Sequence, residues 1–500
     1  RGNALRQELT QQALDAGHKP RHFKERALPS PFTKMPTLNE LPEFIERTKV
    51  YEREQQHKLE AARRELGQMA EANAVESRKV GFDSGELVAG ANRSQVKGPP
   101  AFDARAVTQG MRGIASATRT APMSPAQELE LGKTAESGQR GLIDMYRLGA
   151  QHQSAADAMT AERSGEARRR VQERMATTRD LSGLDLTGAD LSNMDLRGAC
   201  LRRTLLESAD LSGARLDDAD ATEAVLVRAR LAHASLAGCV LHNANLSLAH
   251  CTHTSFMRTQ LHDTVIEKTR FDDCDFSEAC LAHLNLFGMH FQNCRFDRAS
   301  FDYVTLLEQS RLQDCSFRAA TLHKFGLISC QVERLDFLQA QLEACAWVHT
   351  LGDRGIVFAG ATLQTSCFVG TSSLRTIDFE DATLIQCSLR DMTLDGARFV
   401  RATLDTCDFS ACSLVGADLS FIDAPESLFI RADLTHASLR GANLMNASLQ
   451  KARLIGVDLR EANLFRTDLS QALIDTVTET RNAYIAQAKT VPRRAAEPAR

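Results

Sequence analysis

From Leu181 onward a large apolar residue returns at every fifth position, and this spacing constrains the fold more than any other feature of the 500-residue chain. The frame runs Leu181, Leu186, Leu191, Leu196, Leu201, Leu206 and on to Phe296, Phe301 and Leu306. Of the 26 central positions between 181 and 306, only Ala221 and Cys251 lack Leu, Ile or Phe. The frame then slips by one residue before Leu312, again before Phe358 and again before Leu374, and from there keeps its spacing to Ile474. That makes 58 repeats. Repetition at this scale overrides any domain count taken from length, because each unit buries its face only against its neighbours.

The unit can be read from side-chain geometry. Extended residues alternate faces with period two, so the central Leu and the small residue two before it point the same way. The Asp or Asn between them points outward, and the remaining two residues turn a corner. A chain built so must coil around a narrow interior of Leu and Phe with Ala, Cys, Ser and Thr. Successive coils pair their backbones at about 4.8 Å. Such an interior has no room for a substrate.

The run Leu184-Asp185-Leu186-Thr187-Gly188-Ala189-Asp190-Leu191 and its continuation, A(D/N)LXX over about 295 residues, resembles the pentapeptide-repeat family. The resemblance implies a mainly β fold, a right-handed quadrilateral β-helix with four repeats per coil, here preceded by an α-helical N-terminal region. Four sides would give about 14 coils and a rod of roughly 70 Å. Phe residues 20 apart, such as Phe256, Phe276 and Phe296, would then stack. Leu186, Leu191, Leu196, Cys274, Phe276, Cys294, Phe296, Cys407, Leu439 and Leu444 are expected in the core. The frame slips predict bulges near 307–311, 348–357 and 369–373. The second, His349-Thr350-Leu351-Gly352-Asp353-Arg354-Gly355, is rich in turn residues and is expected to protrude most. His349, Asp353 and Arg354 are therefore the candidate partner-binding residues.

The first 180 residues differ in composition. All 13 Cys and the single Trp lie beyond them, and Ala, Glu, Arg and Gln dominate. Residues 1–79 read as a helical region, with a capping box at Thr37-Leu38-Asn39-Glu40 opening a long amphipathic helix over about 39–76. Residues 80–123 read as a Gly/Pro-rich linker and 124–180 as a helical connector. Its last helix, about 154–178, would cap the first coil of a solenoid over 181–475. Both ends of a β-helix expose unpaired strand edges, so a second cap is expected. Thr476-Val477-Thr478-Glu479 suggests a C-terminal capping helix within 476–500, followed by a disordered tail. Arg1 is not an initiator Met, so the sequence is expected to begin inside a longer protein, with region 1–79 truncated.

The cysteines follow the repeat. Nine of them, among them Cys274, Cys294 and Cys407, occupy the small inward position two before a central residue. No CxxC pair exists, so core packing is favoured over metal or disulfide, and free thiols suit a reducing bacterial cytoplasm. His233 and His253, like His242 and His262, stand 20 apart and should stack on adjacent coils. All four are on outward or corner positions without an organised carboxylate shell, so no metal site is assigned. No nucleophile–base pattern or phosphate loop stands out. The chain is read as no enzyme, with no cofactor, no direct nucleic-acid contact and no membrane insertion.

Three function classes were weighed on these residues. A rigid rod of exposed side chains joined to a helical arm suits a scaffold or adaptor. Gly141-Leu142-Ile143-Asp144-Met145-Tyr146-Arg147-Leu148 followed by the repeats resembles the C-terminal part of bacterial type VI secretion accessory proteins. That resemblance implies loading of effector proteins onto the secretion spike, with an effector or spike protein as partner. The alternative is a DNA mimic that binds a type II topoisomerase. Net charge is −4 for the whole chain, yet 181–478 holds 26 Lys+Arg against 38 Asp+Glu, an acidic rod between basic flanks. Arg202, Arg203, Arg228, Arg230, Lys451 and Arg453 interrupt its negative columns. An enzyme rests only on the histidine columns and the break near 350, and is set aside.

Overall fold

The computed structural model describes residues 97–100, 125–352, 355–370, 374 and 376–491. The expected helix over 39–76, most of the linker, and the tail from 492 lie outside these residues.

Backbone pairing makes the coil explicit. One column runs Asp180, Cys200, Asp220, Val240, Gln260, Cys280 and Ser300, then Thr321, Gln341, Thr362, Thr383 and Thr403, and ends Asp423, Asn443, Asn463 and Tyr484. Every pairing is parallel, and each step is one coil of four five-residue units. Leu191 N–H donates to Asp210 O at 2.8 Å, and Asp210 N–H returns to Ala189 O at 2.9 Å, so each coil is tied to the next on every side. Most strands are three residues long; the longest are Cys280–Phe287 and Ser300–Leu307. The corners require a left-handed residue once per unit, for example Asn193 (φ 56) and Arg203 (φ 58). Left-handed backbone disfavours side chains. The cross-coil bond from that same residue, Arg203 N–H to Thr222 O at 3.0 Å, holds it there.

The interior is filled along the whole solenoid. Leu186, Leu191, Leu196, Cys274, Phe276, Cys294, Phe296, Cys407, Leu439 and Leu444 all lie buried in a single continuous cluster. Phe256, Phe276, Phe296, Phe317, Phe337, Phe358, Phe379 and Phe399 form one stack with ring centroids 4.6–5.1 Å apart. Trp347 meets Phe337 and Phe358 edge-on at 5.7 Å.

The small inward position does more than fill space. Thr254, Thr259, Thr264, Thr269 and Thr467 each donate their hydroxyl to a main-chain carbonyl 23 residues earlier. Cys274, Cys294, Cys345 and Cys407 put their thiols in the same slot, each 3.3–3.4 Å from the equivalent carbonyl. Cys is thus a donor that fits where Thr fits. Burial pushes the thiols of Cys239, Cys330, Cys345 and Cys412 up to about 12, which removes them from thiolate chemistry near neutrality.

The outward Asp beside each central residue sets the turn. Asp190 accepts from Ser192 N–H and Asp180 from Ser182 N–H, at 3.0 and 2.9 Å. The side chains of Ser192 and Ser182, and then these backbone bonds, hold both carboxyls below the usual carboxylate range, and the Arg197 side chain holds Asp195 at about 2. A carboxylate with a depressed folded-state pKa contributes stability above its unfolded value and loses it as pH falls through the folded value. The far-UV signal of the rod should therefore hold down to about pH 4 and decline between there and about pH 2. Loss of the signal between pH 6 and 5 would contradict this role for the Asp turns.

Among the described residues two α-helices precede the solenoid, α1 over Pro125–Gly149 and α2 over Ala161–Thr177. Thr160 caps α2 by accepting from Arg163 N–H. Residues 154–160, expected as helix, instead run extended along the first coils, with Met159 N–H bonded to Gly188 O at 2.8 Å. A Cβ on Gly188 would come within 2.4 Å of the Asp157 carbonyl oxygen, so this crossing needs Gly on the solenoid side. Val171 of α2 is fully buried in the solenoid core, with Ala167 and Met175 packed against it. The helix covers the N-terminal end.

One expectation is corrected. No capping helix forms over 476–488; the chain continues the coil, with Glu479, Tyr484 and Lys489 paired to Asp458, Asn463 and Asp468. Asp475 replaces the helix start. Its Oδ1 accepts from Gly456, Val477 and Thr478 N–H groups and organises a fourth one-residue slip, after which Thr478 donates to Leu454 O. Thr478 is drawn into the inward hydroxyl slot that Thr467 uses two sides earlier. At 349–355 the register shows the one-residue slip that the sequence predicts, while the tip residues Asp353 and Arg354 lie outside the described residues. Leu351 pairs with Gln331 and Val357 with Asp336, so five residues on one coil face six on the next. A single added residue is what the register absorbs here.

Candidate interaction surface

With the interior filled, recognition falls to the outer faces. One face is already covered by the chain itself. The C-terminal part of α1 and the following turn lie on the second to fourth coils, where Tyr146 and Ala150 form a separate buried cluster with Leu205, Val225 and Val227. At its centre is Glu207, an outward residue with a side chain 0% exposed. Its carboxylate accepts from the Tyr146 hydroxyl, from Arg228 Nη1 at 2.9 Å and from Ala156 N–H at 3.2 Å. Arg228 extends this network to the carbonyls of Ala150, Gln151 and Gln153. Asn245 Nδ2 donates to Arg147 O at 2.7 Å, and Arg147 bridges Asp144 and Glu223 at 2.9 and 2.8 Å. Burial, with Glu207 beside it, pushes the Tyr146 hydroxyl far above the ordinary tyrosine range.

Sequence reasoning missed this contact, although a signal was present. Leu205, Val225 and Val227 are three apolar residues clustered at outward positions that more often carry polar ones. Large apolar residues out of phase with the core mark a covered face.

The residues singled out from the sequence are placed differently. His349 is a corner residue (φ 49) against Gly370, one coil on, where a Cβ would fall 2.3 Å from its Nδ1. Asp353 and Arg354 lie outside the described residues, so no convergence of the three is established. The histidines do stack: His233 on His253 at 5.1 Å and His242 on His262 at 4.6 Å between ring centroids. Among the described residues no group of three metal-ligating side chains converges on one point, and no helix is long and apolar enough to cross a membrane.

The family model for pentapeptide repeats matches in eight copies, over residues 180–203, 199–232, 224–263, 372–410, 412–450 and 442–475. This chain is a pentapeptide-repeat protein. The unmatched stretch, 264–371, contains two of the frame slips and most of the Phe stack, and its described coils still pair in parallel with their neighbours. Among solved structures, a pentapeptide repeat protein (Rfr23) from the cyanobacterium Cyanothece is 27% identical, over 23% of this chain and 65% of its own length, with a TM-score of 0.14. HetL from Nostoc, involved in heterocyst differentiation regulation, is 22% identical over 58% of this chain and 95% of its own (TM-score 0.16). QnrB1, a plasmid-mediated fluoroquinolone resistance protein, is 15% identical over 48% of this chain and 92% of its own (TM-score 0.19). TM-scores this low carry no argument about the course of the whole chain. No curated protein matches it.

The charge on the outer faces of this pentapeptide-repeat rod is cross-linked. Arg230 pairs with Asp210 at 2.6 Å, Arg298 with Glu278 at 3.0 Å and Arg401 with Asp381 at 2.7 Å, each one coil apart. Arg202 reaches Asp220, and Arg318 reaches Asp336, both at 2.6 Å. Exposed pairs of this kind contribute little to stability, about 0–1 kcal/mol each. Their consequence is electrostatic: the acidic columns become mixed-sign stripes.

Proposed function

We propose that the chain is a non-catalytic protein-binding scaffold, an adaptor that holds a cargo protein on the rod and fixes the rod to its N-terminal region through the helical connector. One observation carries this reading: a solenoid face already serves as a docking platform for a helix, through buried Glu207 and a patch of apolar residues at outward positions. A filled interior leaves no alternative place for recognition. The resemblance of 141–148 and the first repeats to type VI secretion accessory proteins supports an effector, or a protein of the secretion spike, as the partner. The DNA-mimic reading needs continuous negative columns, and the Arg–Asp pairs one coil apart count against it.

Capture experiments with the immobilised chain, in extract of its native bacterium, test this directly. Enrichment of an effector or spike protein, lost when the extract is challenged with free chain, is the expected result. Enrichment of topoisomerase subunits, together with inhibition of DNA supercoiling by the purified chain, would replace the adaptor by the mimic.

A further inference from the structure

The two ends of the solenoid present opposite faces of one hydrogen-bond ladder. In a typical coil each unit sends two N–H groups to the next coil and receives one from it. Leu464 N–H donates to Tyr484 O at 2.7 Å and Arg466 N–H to Ala486 O at 3.2 Å, while Tyr484 N–H returns to Ala462 O at 2.8 Å. The ladder therefore leaves two carbonyls and one N–H per unit at its first coil. At its last coil it leaves two N–H groups and one carbonyl. Backbone groups of either kind need partners where water is displaced.

Helix α2 answers the first of these ends. Arg174 donates to Asp180 O at 3.0 Å, and Arg168 to Asp190 O and Ser192 O at 3.4 and 2.8 Å. Ser164 Oγ accepts from Asp190 N–H at 2.8 Å. Between these contacts Val171, Ala167 and Met175 close the core, and Leu181 and Leu191 are 0% exposed. An acceptor-rich end is thus covered by an apolar helix stripe flanked by cationic donors.

The last coil has the inverse chemistry and no such cover among the described residues. Leu459, Glu461, Leu464, Arg466 and Leu469 all donate their N–H groups to it. The N–H groups in register with these, on Thr480, Asn482, Ile485, Gln487 and Thr490, meet no further coil among the described residues. Ile474 and Ile485 stand in central core slots, yet they are 52% and 61% exposed. The rim is cationic. Arg481 and Lys489 are exposed and form no ion pair among the described residues. Glu479 is engaged by Arg460 at 3.2 Å, and Asp475 by the N–H groups of Val477 and Thr478.

We propose that this C-terminal end docks an acidic amphipathic helix of a partner protein. Its apolar stripe closes over Ile474 and Ile485, while its carboxylates accept from the free N–H groups and pair with Arg481 and Lys489. An apolar patch ringed by unpaired donors marks an interaction surface, and a carboxylate is the strongest acceptor a side chain offers such donors. A second copy docked end to end would set N–H against N–H and cation against cation. Head-to-tail stacking is barred by α2 on the opposite end. The end is separate from the face held by α1, so its occupant is independent of the adaptor assignment.

Two fluorescein-labelled peptides test this on the full chain, both with a helical stripe of leucines, flanked by glutamates in one and by lysines in the other. Fluorescence polarisation should show the glutamate peptide bound, and the lysine peptide weaker by about tenfold or more. Arg481→Glu combined with Lys489→Glu, two exposed changes, should reverse that preference. Ile485→Glu should weaken the glutamate peptide by about tenfold or more while the far-UV spectrum stays unchanged. Equal binding of the two peptides, binding of neither, or a glutamate preference that survives the double charge reversal would overturn the proposal. So would a dimer, seen by light scattering, that Ile485→Glu dissociates, since a second copy would then be the occupant.

Discussion

Glu207→Ala should release the helical connector from the solenoid while leaving the solenoid folded. The substitution removes one acceptor shared by Tyr146, Arg228 and Ala156, leaving the buried phenol without its partner and the largely buried guanidinium with only the carbonyls of Ala150, Gln151 and Gln153. Removing one member of a buried charged pair costs about 3–5 kcal/mol, because the other charge stays desolvated. Opening of the connector is a local event with its own free energy. The population of the open form should thus rise roughly a hundred- to a few-thousandfold. Amide exchange over 146–157 reads this directly, with amides in the coils beyond Asn245 serving as an unaffected reference. Glu207→Gln keeps an oxygen for Arg228 and should fall between the two. Unchanged protection in Glu207→Ala would mean that Leu205, Val225 and Val227 alone hold the connector.

Phe337→Ala should cost about 3–5 kcal/mol, the range for truncating a fully buried aromatic. Phe337 lies between Phe317 and Phe358, both 4.7 Å away, with Trp347 against its edge. Neither stacked neighbour can move into the gap, since each is held by the ring on its own far side. Solenoid stability is a sum of units and nearest-neighbour interfaces, so a weak interface in mid-rod also separates the two ends. Denaturant unfolding should begin earlier and broaden toward two steps. Cys407→Ser is the matching control. Ser427 already donates to Leu404 O from the equivalent slot one coil on, so serine should serve there within about 1 kcal/mol. A Phe337→Ala loss no larger than that of the control would show the stack to be dispensable.

The coil was legible because its determinants are local and periodic. A central Leu or Phe every five residues, a small residue two before it and Asp between them dictate which side chains turn inward. No long-range information is needed to read them. Frame slips were visible for the same reason, and the structure places an added residue between Leu307 and Arg311, and another between Leu351 and Val357. The C-terminal helix was misjudged because Thr476-Val477-Thr478-Glu479 satisfies a helix cap as a string of letters. In the fold, the edge of the preceding coil offers Leu454 O and Gly456 N–H to the same residues. A strand edge already in place competes successfully with a marginal short helix.

The sites were less legible. Leu205, Val225 and Val227 could have been recognised as apolar residues out of phase, but nothing local says that Tyr146 and Ala150, some 60 to 80 residues earlier, cover them. Histidine stacking follows from a spacing of 20 residues, whereas the thiol beside His262 lies 18 residues on, in a different column. The sequence by itself determined the coil, the identity of the buried side chains and the exclusion of any internal pocket, because five-residue periodicity acts through neighbours in the chain. Only the tertiary structure decided which face is covered by the connector, how the last coil ends and that His262 meets Cys280. Each of those depends on groups brought together by coiling, at separations that no local pattern encodes.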